Sequence, residues 1–507
     1  MAIQHSRCDR RSARVEERGE IGLNHRKQKQ TDCQEVKMKY LEKEKELIKD
    51  TEKEIGIIVN SQLLELLRWN PDRSFIELEL ELCRRLNEIG AKMLESLIPK
   101  IYGDGYIGPR KDINIDSEYD EDKISYRCET RNKARSLQTV FGTIRISRAV
   151  YSEFYSGGQK SFLDEKLQIE DKKFDPLIGY WTDLLGIIAP FEEASDILNK
   201  IRGIKVSSKQ VQLSTEATAK NITDSQNDKI KDIFIGREGK ISQANINLNL
   251  NAKRTVYIET DGCQLHTENG WNECKTFMLF ELEKVSEEKN LLKNKYYFST
   301  MGDVGEIKRQ LKYSMERYCG SDEVRIICIG DGAKWIWNMM QELMPKNTLN
   351  SGAIEIVDWF HAVEKIGNLF EEIMPKSANK SAFVEPFKDY LKNGNIELVE
   401  QELHMLMEKQ QNPEYKNEVY EAMNYFINNK ERMRYDKYKE SGICMGSGAI
   451  ESANKYVVQR RVKLQGMIWE LANLNYMVHF RAEYINNKMD AYFGIHDNPI
   501  INAISVS

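Results

Sequence analysis

The strongest constraint on the fold is the succession of apolar segments between residues 255 and 374. Runs of β-branched and aromatic residues indicate strands, whereas apolar residues three and four positions apart indicate helices. The order is three strands, a helix, a strand, a helix, a strand and a helix. The predicted strands are Thr255–Thr260, Thr276–Leu282, Tyr296–Thr300, Val324–Ile329 and Ile354–Val357, and the predicted helices are Val304–Tyr318, Ala333–Met344 and His361–Met374.

An antiparallel meander that continues into parallel strands with crossover helices is typical of a ribonuclease H-like fold. We therefore predict an α/β protein with a mixed five-stranded sheet, whose core is interrupted by an all-α insertion. Helical and helix-turn-helix regions precede that core. The predicted regions are 1–37 (disordered or an over-extended start), 38–100 (helical hairpin), 101–175 (loop and β-hairpin), 176–223 (helix-turn-helix), 254–374 (first part of the core), 375–440 (insertion), 441–490 (two final helices) and 491–507 (tail).

Composition favours a globular protein in the cytoplasm. The chain of 507 residues has a net charge of −5, with 30% charged and 41% hydrophobic residues. No run reaches the roughly 18 apolar residues of a membrane-spanning helix. The nine cysteines form no C-x-x-C pair, and the seven histidines are scattered. We expect reduced, mostly buried thiols and neither a disulfide framework nor a zinc site.

The segment 191–222 has the pattern of a helix-turn-helix. Gly203 permits a tight turn, Ser207 or Ser208 can cap the second helix, and Val211 and Ala217 are expected to face inward. The second helix of such a motif can enter the major groove of DNA. An ordinary pair of packed helices has the same pattern and remains an alternative. The side chains that would face DNA are Lys209, Gln210 and Gln212.

Two aspartates occupy related positions in the predicted sheet. Asp261 directly follows the first strand, and Asp331 ends the fourth. Because these strands are neighbours in a ribonuclease H-like sheet, the two carboxylates would lie side by side and repel each other without a cation. Hard oxygen ligands suit magnesium or manganese. Two such ions, about 4 Å apart, can activate a water or hydroxyl and stabilise a leaving oxygen.

Glu451 is the candidate for a third carboxylate. Ser447 can cap its helix, which places the negative charge in the first turns, where the helix dipole favours it. A basic run without acidic residues follows and suits a phosphate backbone. Singly, the aspartates could mark plain turns and Glu451 a solvated helix face, but together they favour a metal-binding triad. The basic residues are Lys455, Arg460, Arg461 and Lys463.

Four blocks of the chain resemble the DDE transposases of bacterial insertion sequences, specifically the ISKra family. They are IETDG, GDGAKWIWN, IVDWFHAVEKI and the long C-terminal block RMRYDKYKESGICMGSGAIESANKYVVQRRVKLQGMIW. The resemblance implies that Asp261, Asp331 and Glu451 are the catalytic residues. The long interval before Glu451 fits the helical insertion that several such families place there. The cysteine-rich zinc knuckle of many family members is absent from YSEFYSGGQKSFLDE, so no bound zinc is expected.

Asp358 and His361 match a further signature of related transposases. Both would lie near the site, because they follow a strand at the same sheet edge, and His361 could then position DNA or the scissile phosphate. A helix start capped by aspartate, with histidine in its first turn, explains the pair equally well. Trp337 is expected in the core, whereas Trp469 could stack on a flipped base.

These observations lead to the expectation of a transposase. It would bind the terminal inverted repeats of its element, hydrolyse a phosphodiester there with magnesium or manganese, and join the freed 3′-hydroxyl to target DNA. A homo-oligomer is expected, because two DNA ends must be held together, in a bacterial, nucleoid-associated location without membrane contact. The alternatives are a transposase-derived repressor that binds DNA without chemistry, and a structure-selective nuclease of ribonuclease H-like fold.

Overall fold

The computed structural model describes residues 45–46, 48–68, 72–116, 121–170, 172–234, 242–286, 290–344, 353–374 and 380–495. The predicted N-terminal segment 1–37 and most of the predicted tail lie outside these residues. The chain divides into two compact units, Met1–Gly179 and Tyr180–Ser507. The fold is of the mixed α/β class.

The first unit combines two helices with a small antiparallel sheet. Helix α1 covers residues 48–66. A capping box starts α2, because the side chains of Ser74 and Glu77 each bond the other's backbone N–H. The further elements are α2 (Phe75–Tyr102), β1 (Arg110–Asp116), β2 (Glu121–Thr139), β3 (Gly142–Glu153), β4 (Gln159–Lys160) and α3 (Phe162–Lys166).

The sheet of the first unit is larger than the sequence predicts. The segment 103–126, predicted to be a loop, contains β1 and the beginning of β2. These strands are mostly polar and charged, so they lack the apolar alternation that marks a half-buried strand. Their pairing is nevertheless continuous, from Arg110 opposite Arg127 to Asp116 opposite Glu121.

The second unit is built on a mixed sheet. Its path order is β10-β9-β6-β7-β8, with β5 paired to β9. Strands β6, β7 and β8 are antiparallel, whereas β9 runs parallel to β6 and β10 parallel to β9. The strands are β5 (Asn247–Leu248), β6 (Arg254–Thr267), β7 (Gly270–Lys284), β8 (Asn290–Thr300), β9 (Glu323–Gly330) and β10 (Ile354–Val357).

Two crossover helices connect these strands, a third helix follows the last strand, and every strand and helix predicted between residues 255 and 374 is present. The central strand β9 is buried from Ile326 to Ile329, which explains its unbroken apolar sequence. Trp337 packs in the same core, as predicted. The helices are α7 (Val304–Cys319), α8 (Lys334–Leu343) and α9 (Trp359–Ile373).

A helix-turn-helix shape precedes the sheet. Helix α4 (Pro176–Ile188) leads into α5 (Phe191–Arg202), and Gly203 makes the turn with a left-handed φ of 66°. Ser207, not Ser208, caps α6 (Ser208–Phe234), because its Oγ accepts the Gln210 N–H at 3.3 Å. Val211 is buried as predicted, but the prediction for Ala217 was wrong: it is exposed. Helix α6 continues beyond residue 223, with Ile230 buried.

Helices also form the segment that interrupts the sheet domain and the region that follows it. They are α10 (Lys380–Lys392), α11 (Ile396–Lys409), α12 (Pro413–Asn429), α13 (Tyr435–Glu440), α14 (Gly448–Ala453), α15 (Arg460–Val462), α16 (Leu471–Ile485) and α17 (Met489–Tyr492). A π-helical turn, Asn454–Gln459, joins α14 to α15. Among the described helices, none combines the length and apolar composition that crossing a bilayer requires.

Candidate functional site: an acidic edge of the sheet

The register of three parallel strands places three aspartates in a row. Thr260 of β6 and Val357 of β10 both pair with Gly330 of β9. Asp261, Asp331 and Asp358 are the next residues of the three strands. Neighbouring strands are about 4.8 Å apart, so the aspartates lie side by side along one edge. The expectation for Asp261 needs one correction: β6 continues to Thr267, because its hairpin with β7 extends beyond the end of β9.

Asp261 is partly buried and is held by two donors. Its Oδ1 accepts the N–H of Gly262 at 2.7 Å, and its Oδ2 accepts the side-chain N–H of Asn454 at 2.7 Å. Burial raises the pKa of Asp261, and the charge of Asp331 raises it further, although these donors and His361 oppose the shift. The two carboxylates therefore repel each other in the free protein.

Asp331 is fixed through its backbone and its side chain. Its Oδ1 accepts the N–H of Ala333 at 2.8 Å, and its carbonyl oxygen accepts the hydroxyl of Tyr425, from α12, at 2.9 Å. Gly332 has a φ of 94°, and a Cβ there would lie 2.5 Å from the Tyr425 ring. Glycine is therefore required at this position for two reasons: the backbone has a positive φ, and the Tyr425 ring leaves no room for a side chain.

Glu259 caps the helix that carries Glu451. It lies on the same face of β6 as Asp261, because side chains alternate along a strand. Its Oε2 accepts the N–H of Ile450, at the start of α14, at 2.7 Å. The prediction that the Ser447 side chain caps this helix was wrong: its Oγ donates to Asp358. Burial raises the pKa of Glu259 to about 8, and the charges of Asp358 and Glu451 add to this.

The helix advances along β6 in step with the strand. Ile450 bonds Glu259, and Asn454, four residues later, bonds Asp261, two residues later. Four helical residues rise about 6 Å and two strand residues about 6.6 Å, so residues at these spacings stay opposite each other along the two elements. Cys263 then joins the apolar cluster that contains Val457 and Val458.

Glu451 lies one helical turn before Asn454 and is exposed. It directly follows Ile450, whose N–H bonds Glu259, and its charge helps to raise the pKa of Glu259. Among the described residues, no three His, Cys, Asp or Glu side chains form a group that could hold a metal ion. Two buried oxygens, Oδ1 of Asn454 and Oε1 of Glu259, have no hydrogen-bond partner among the described residues.

Asp358 and His361 form a partly buried ion pair at the start of α9. The Asp358 side chain is fully buried, and its Oδ2 lies 2.6 Å from Nδ1 of His361. It also caps α9 through the Phe360 N–H at 3.0 Å and accepts both the N–H and the hydroxyl of Ser447. The interpretation of Asp358 as a helix cap is confirmed. His361 lies within reach of the charges of Asp261 and Asp331, and its contact with DNA stays a prediction.

We expect the imidazole of His361 to remain protonated at neutral pH. The hydrogen bond to Asp358 raises its pKa from 6.5 to about 9, with further contributions from the charges of Asp358, Asp261 and Asp331. The pair therefore contributes its full stability below about pH 6.5 and loses it as the pH rises through about 9. Titration followed by histidine NMR should show this pKa, and Asp358→Asn should lower it. An unchanged pKa in that variant would contradict the assignment.

The basic run after Glu451 is divided between surface and core. Lys455, Arg460 and Lys463 are exposed, as phosphate binding requires. The prediction for Arg461 was wrong, because its side chain is 1% exposed and its Nε donates to the carbonyl of Gly186 at 2.9 Å. Trp469 is also buried, with its indole N–H bonded to the carbonyl of Val462.

Sequence reasoning missed three residues that shape the site. Glu259 gave a signal, since it is a carboxylate within the apolar strand TVYIET. The proximity of Asn454 to the site could have been inferred, because residues three positions apart, such as Glu451 and Asn454, are neighbours on a helix surface. Nothing in the local sequence of Tyr425 indicates its contact with Asp331.

The fold and the site define an α/β protein whose mixed sheet carries a row of acidic side chains at the carboxyl edge of its parallel strands. The chain belongs to the uncharacterised protein family UPF0236, whose family model matches residues 71–491. The matched stretch includes the whole acidic edge and the helix-turn-helix. No curated protein matches the sequence.

Proposed function

We propose that this protein is a DNA transposase of the DDE class that resembles the ISKra family. The observation that carries the proposal is the row formed by Asp261, Asp331 and Asp358 on three paired parallel strands, at the level where β9 and β10 end. Phosphodiester chemistry at such an edge needs carboxylates close enough to share cations. The acidic edge provides two of them, Asp261 and Asp331, on neighbouring strands.

We infer that strands β6–β10 with α7–α9 form a ribonuclease H-like core. In support, three antiparallel strands are followed by two parallel strands. The first of these parallel strands, β9, pairs with β6 on the side opposite β7. Helices α10–α13 separate this part from α14, the helix that carries Glu451. This order corresponds to an insertion before the last catalytic residue.

The donor types of Asp261 and Asp331 suit magnesium or manganese. Asp261 and Asp331 supply hard oxygens, their repulsion would be relieved by a divalent cation, and the orphaned Oδ1 of Asn454 lies on the residue that bonds Asp261. Glu451 would complete the set from the adjacent helical turn. Bound divalent ions would activate the attacking water or 3′-hydroxyl and stabilise the leaving oxygen.

The protein's own residues would orient the DNA. The protonated His361 presents a positive charge beside the two aspartates, where it can bind a phosphate oxygen, while the buried Asp358 fixes its ring. Lys455, Arg460 and Lys463 present exposed cations along the helix that carries Glu451. They would hold the phosphate backbone next to the acidic edge.

Helices α5 and α6 would recognise the DNA ends. Lys209 is exposed and hydrogen-bonds Gln212 at 3.1 Å, so both lie at the N-terminal end of α6, where a recognition helix meets base edges. Gln210 is less available for contact with DNA, because its Oε1 accepts the N–H and hydroxyl of Ser207. Gln210 therefore contributes to the helix start rather than to a free DNA-facing surface.

Exposed apolar side chains of the first unit support the expectation of a homo-oligomer. Helices α1 and α2 leave large apolar residues 59–73% exposed. An apolar surface of this kind is typical of a protein interface. The residues are Ile57, Leu64, Phe75, Ile76 and Leu80.

The proposal is tested with purified protein, magnesium or manganese, and duplexes that span the ends of the DNA element encoding the chain. We expect nicks at the element boundary with free 3′-hydroxyls, and joined products when target DNA is added. Binding without nicking would favour a repressor. Nicking of branched duplexes without preference for the ends would favour a structure-selective nuclease.

Lys209→Ala should weaken binding to the element ends. Loss of one phosphate contact reduces the dependence of log affinity on log salt concentration by about 1. Fluorescence anisotropy at several salt concentrations measures both quantities. Lys220→Ala is the matched control, since Lys220 is exposed about three turns further along the same face of α6. Equal losses in both variants would contradict the placement of DNA at the N-terminal end of α6.

A further inference from the structure

The π-helical turn after Glu451 is held by a buried arginine from another helix. Arg481 of α16 is 4% exposed. Its Nε donates to the carbonyl of Val457 at 3.0 Å, and one terminal nitrogen donates to the carbonyl of Tyr456. Both carbonyls belong to the turn Asn454–Gln459. A π-turn inserts an extra residue into a helix, and such turns are frequent at functional sites.

The extra residue changes which side chains face the sheet. In a regular α-helix, positions seven residues apart lie on the same face. Glu451 is exposed, whereas Val458, seven residues later, is fully buried. The π-turn thus allows Val457 and Val458 to enter the core while Asn454 bonds Asp261 and Glu451 stays beside the acidic edge.

The same guanidinium also reaches α4. The other terminal nitrogen of Arg481 donates to the carbonyl of Ile187 at 2.9 Å, and Arg461 donates to the neighbouring carbonyl of Gly186. These carbonyls end α4, where the helix dipole favours a cation. Helix α4 leads directly into the helix-turn-helix. Arg481 therefore bonds two elements: the helix that carries Glu451 and the helix that precedes α5.

We propose that Arg481 is a positioning residue that fixes the π-turn, and thereby sets Glu451 and Asn454 against the acidic edge in register with the helix-turn-helix. The proposal rests on the proposed function only for its effect on cleavage. Arg481 touches neither DNA nor the reacting groups; it acts through two carbonyls of the turn. Lysine cannot replace it, because a single ammonium lacks the planar fork that bonds Tyr456, Val457 and Ile187 together.

Arg481→Lys and Arg481→Gln test the proposal, with Arg461→Lys as the matched control. Arg461 is equally buried and bonds α4, but no hydrogen bond of its side chain to the π-turn is found in the described residues. For both Arg481 variants we expect faster hydrogen exchange at residues 454–462 and unchanged exchange in α9. We expect kcat for end cleavage to fall about 100-fold, with Kd for the ends within about twofold. Arg461→Lys should keep kcat within about threefold.

Two results would overturn this role. One is wild-type exchange at residues 454–462 in a folded Arg481 variant; the other is an equal loss of kcat in the Arg461 and Arg481 variants. The exchange measurement needs no DNA. If the wild-type protein does not cleave DNA, the proposed function fails, and exchange still decides whether Arg481 fixes the turn.

Discussion

Asp331→Asn should abolish metal-dependent cleavage of the element ends while leaving DNA binding intact. Loss of one cation-binding carboxylate removes several kcal/mol of transition-state stabilisation, which corresponds to a rate lowered by about 1,000-fold or more. The substitution suits the site, because Asp331 accepts one backbone N–H through Oδ1 and an asparagine oxygen can do the same. Cleavage rates and end affinities should be measured in parallel.

Asp322→Asn is the control for that variant. Asp322 precedes the opposite end of β9 and pairs with Arg254 at 2.7 Å, with its side chain 65% exposed. We expect cleavage at the wild-type rate, because this residue is remote from the acidic edge. If Asp331→Asn cleaves as fast as Asp322→Asn, the acidic edge is not the catalytic centre.

Asp358→Ala should cost about 3–5 kcal/mol in the free energy of unfolding, because it removes a fully buried carboxylate from an ion pair and from three further hydrogen bonds. The variant leaves His361 without its counter-ion and leaves the Ser447 and Phe360 N–H groups without their acceptor. It also removes the two hydrogen bonds from Ser447 to Asp358, although the Trp359 N–H still donates to the carbonyl of Met445. Urea unfolding measures the change.

Asp303→Ala provides the comparison, since Asp303 also caps a helix. Its carboxylate accepts the Glu306 N–H at 2.8 Å, but Asp303 is exposed, and no buried partner of it is found among the described residues. We expect a cost of about 1 kcal/mol, which is usual for a lost cap. Equal costs for the two variants would show that Asp358 acts only as a helix cap.

The sheet elements of the second unit could be predicted because their local signals agree with their tertiary environment. The run VRIICI is a central strand buried on both faces, and its lack of alternation reflects that position. The same reasoning placed Asp331 and Asp358 directly after their strands, whereas β6 continues beyond Asp261. Because Thr260 and Val357 both pair with Gly330, the three aspartates that follow them lie side by side across the sheet.

The remaining features depend on contacts between distant parts of the chain. Arg461 lies in a basic run, yet packing against Phe191 and Trp469 buries it. Glu451 is exposed and Val458 is buried because a π-turn lies between them. A regular helical period does not predict this difference in burial. Strand β1 and the beginning of β2 could not be predicted, because these polar strands have no apolar alternation.

The most direct test of the central claim is manganese binding followed by electron paramagnetic resonance, with the protein bound to an element end. The account predicts that the wild-type protein and Asp322→Asn bind manganese, and that Asp331→Asn binds it far more weakly. Equal manganese binding by wild type and Asp331→Asn would contradict the assignment of a metal site to the acidic edge.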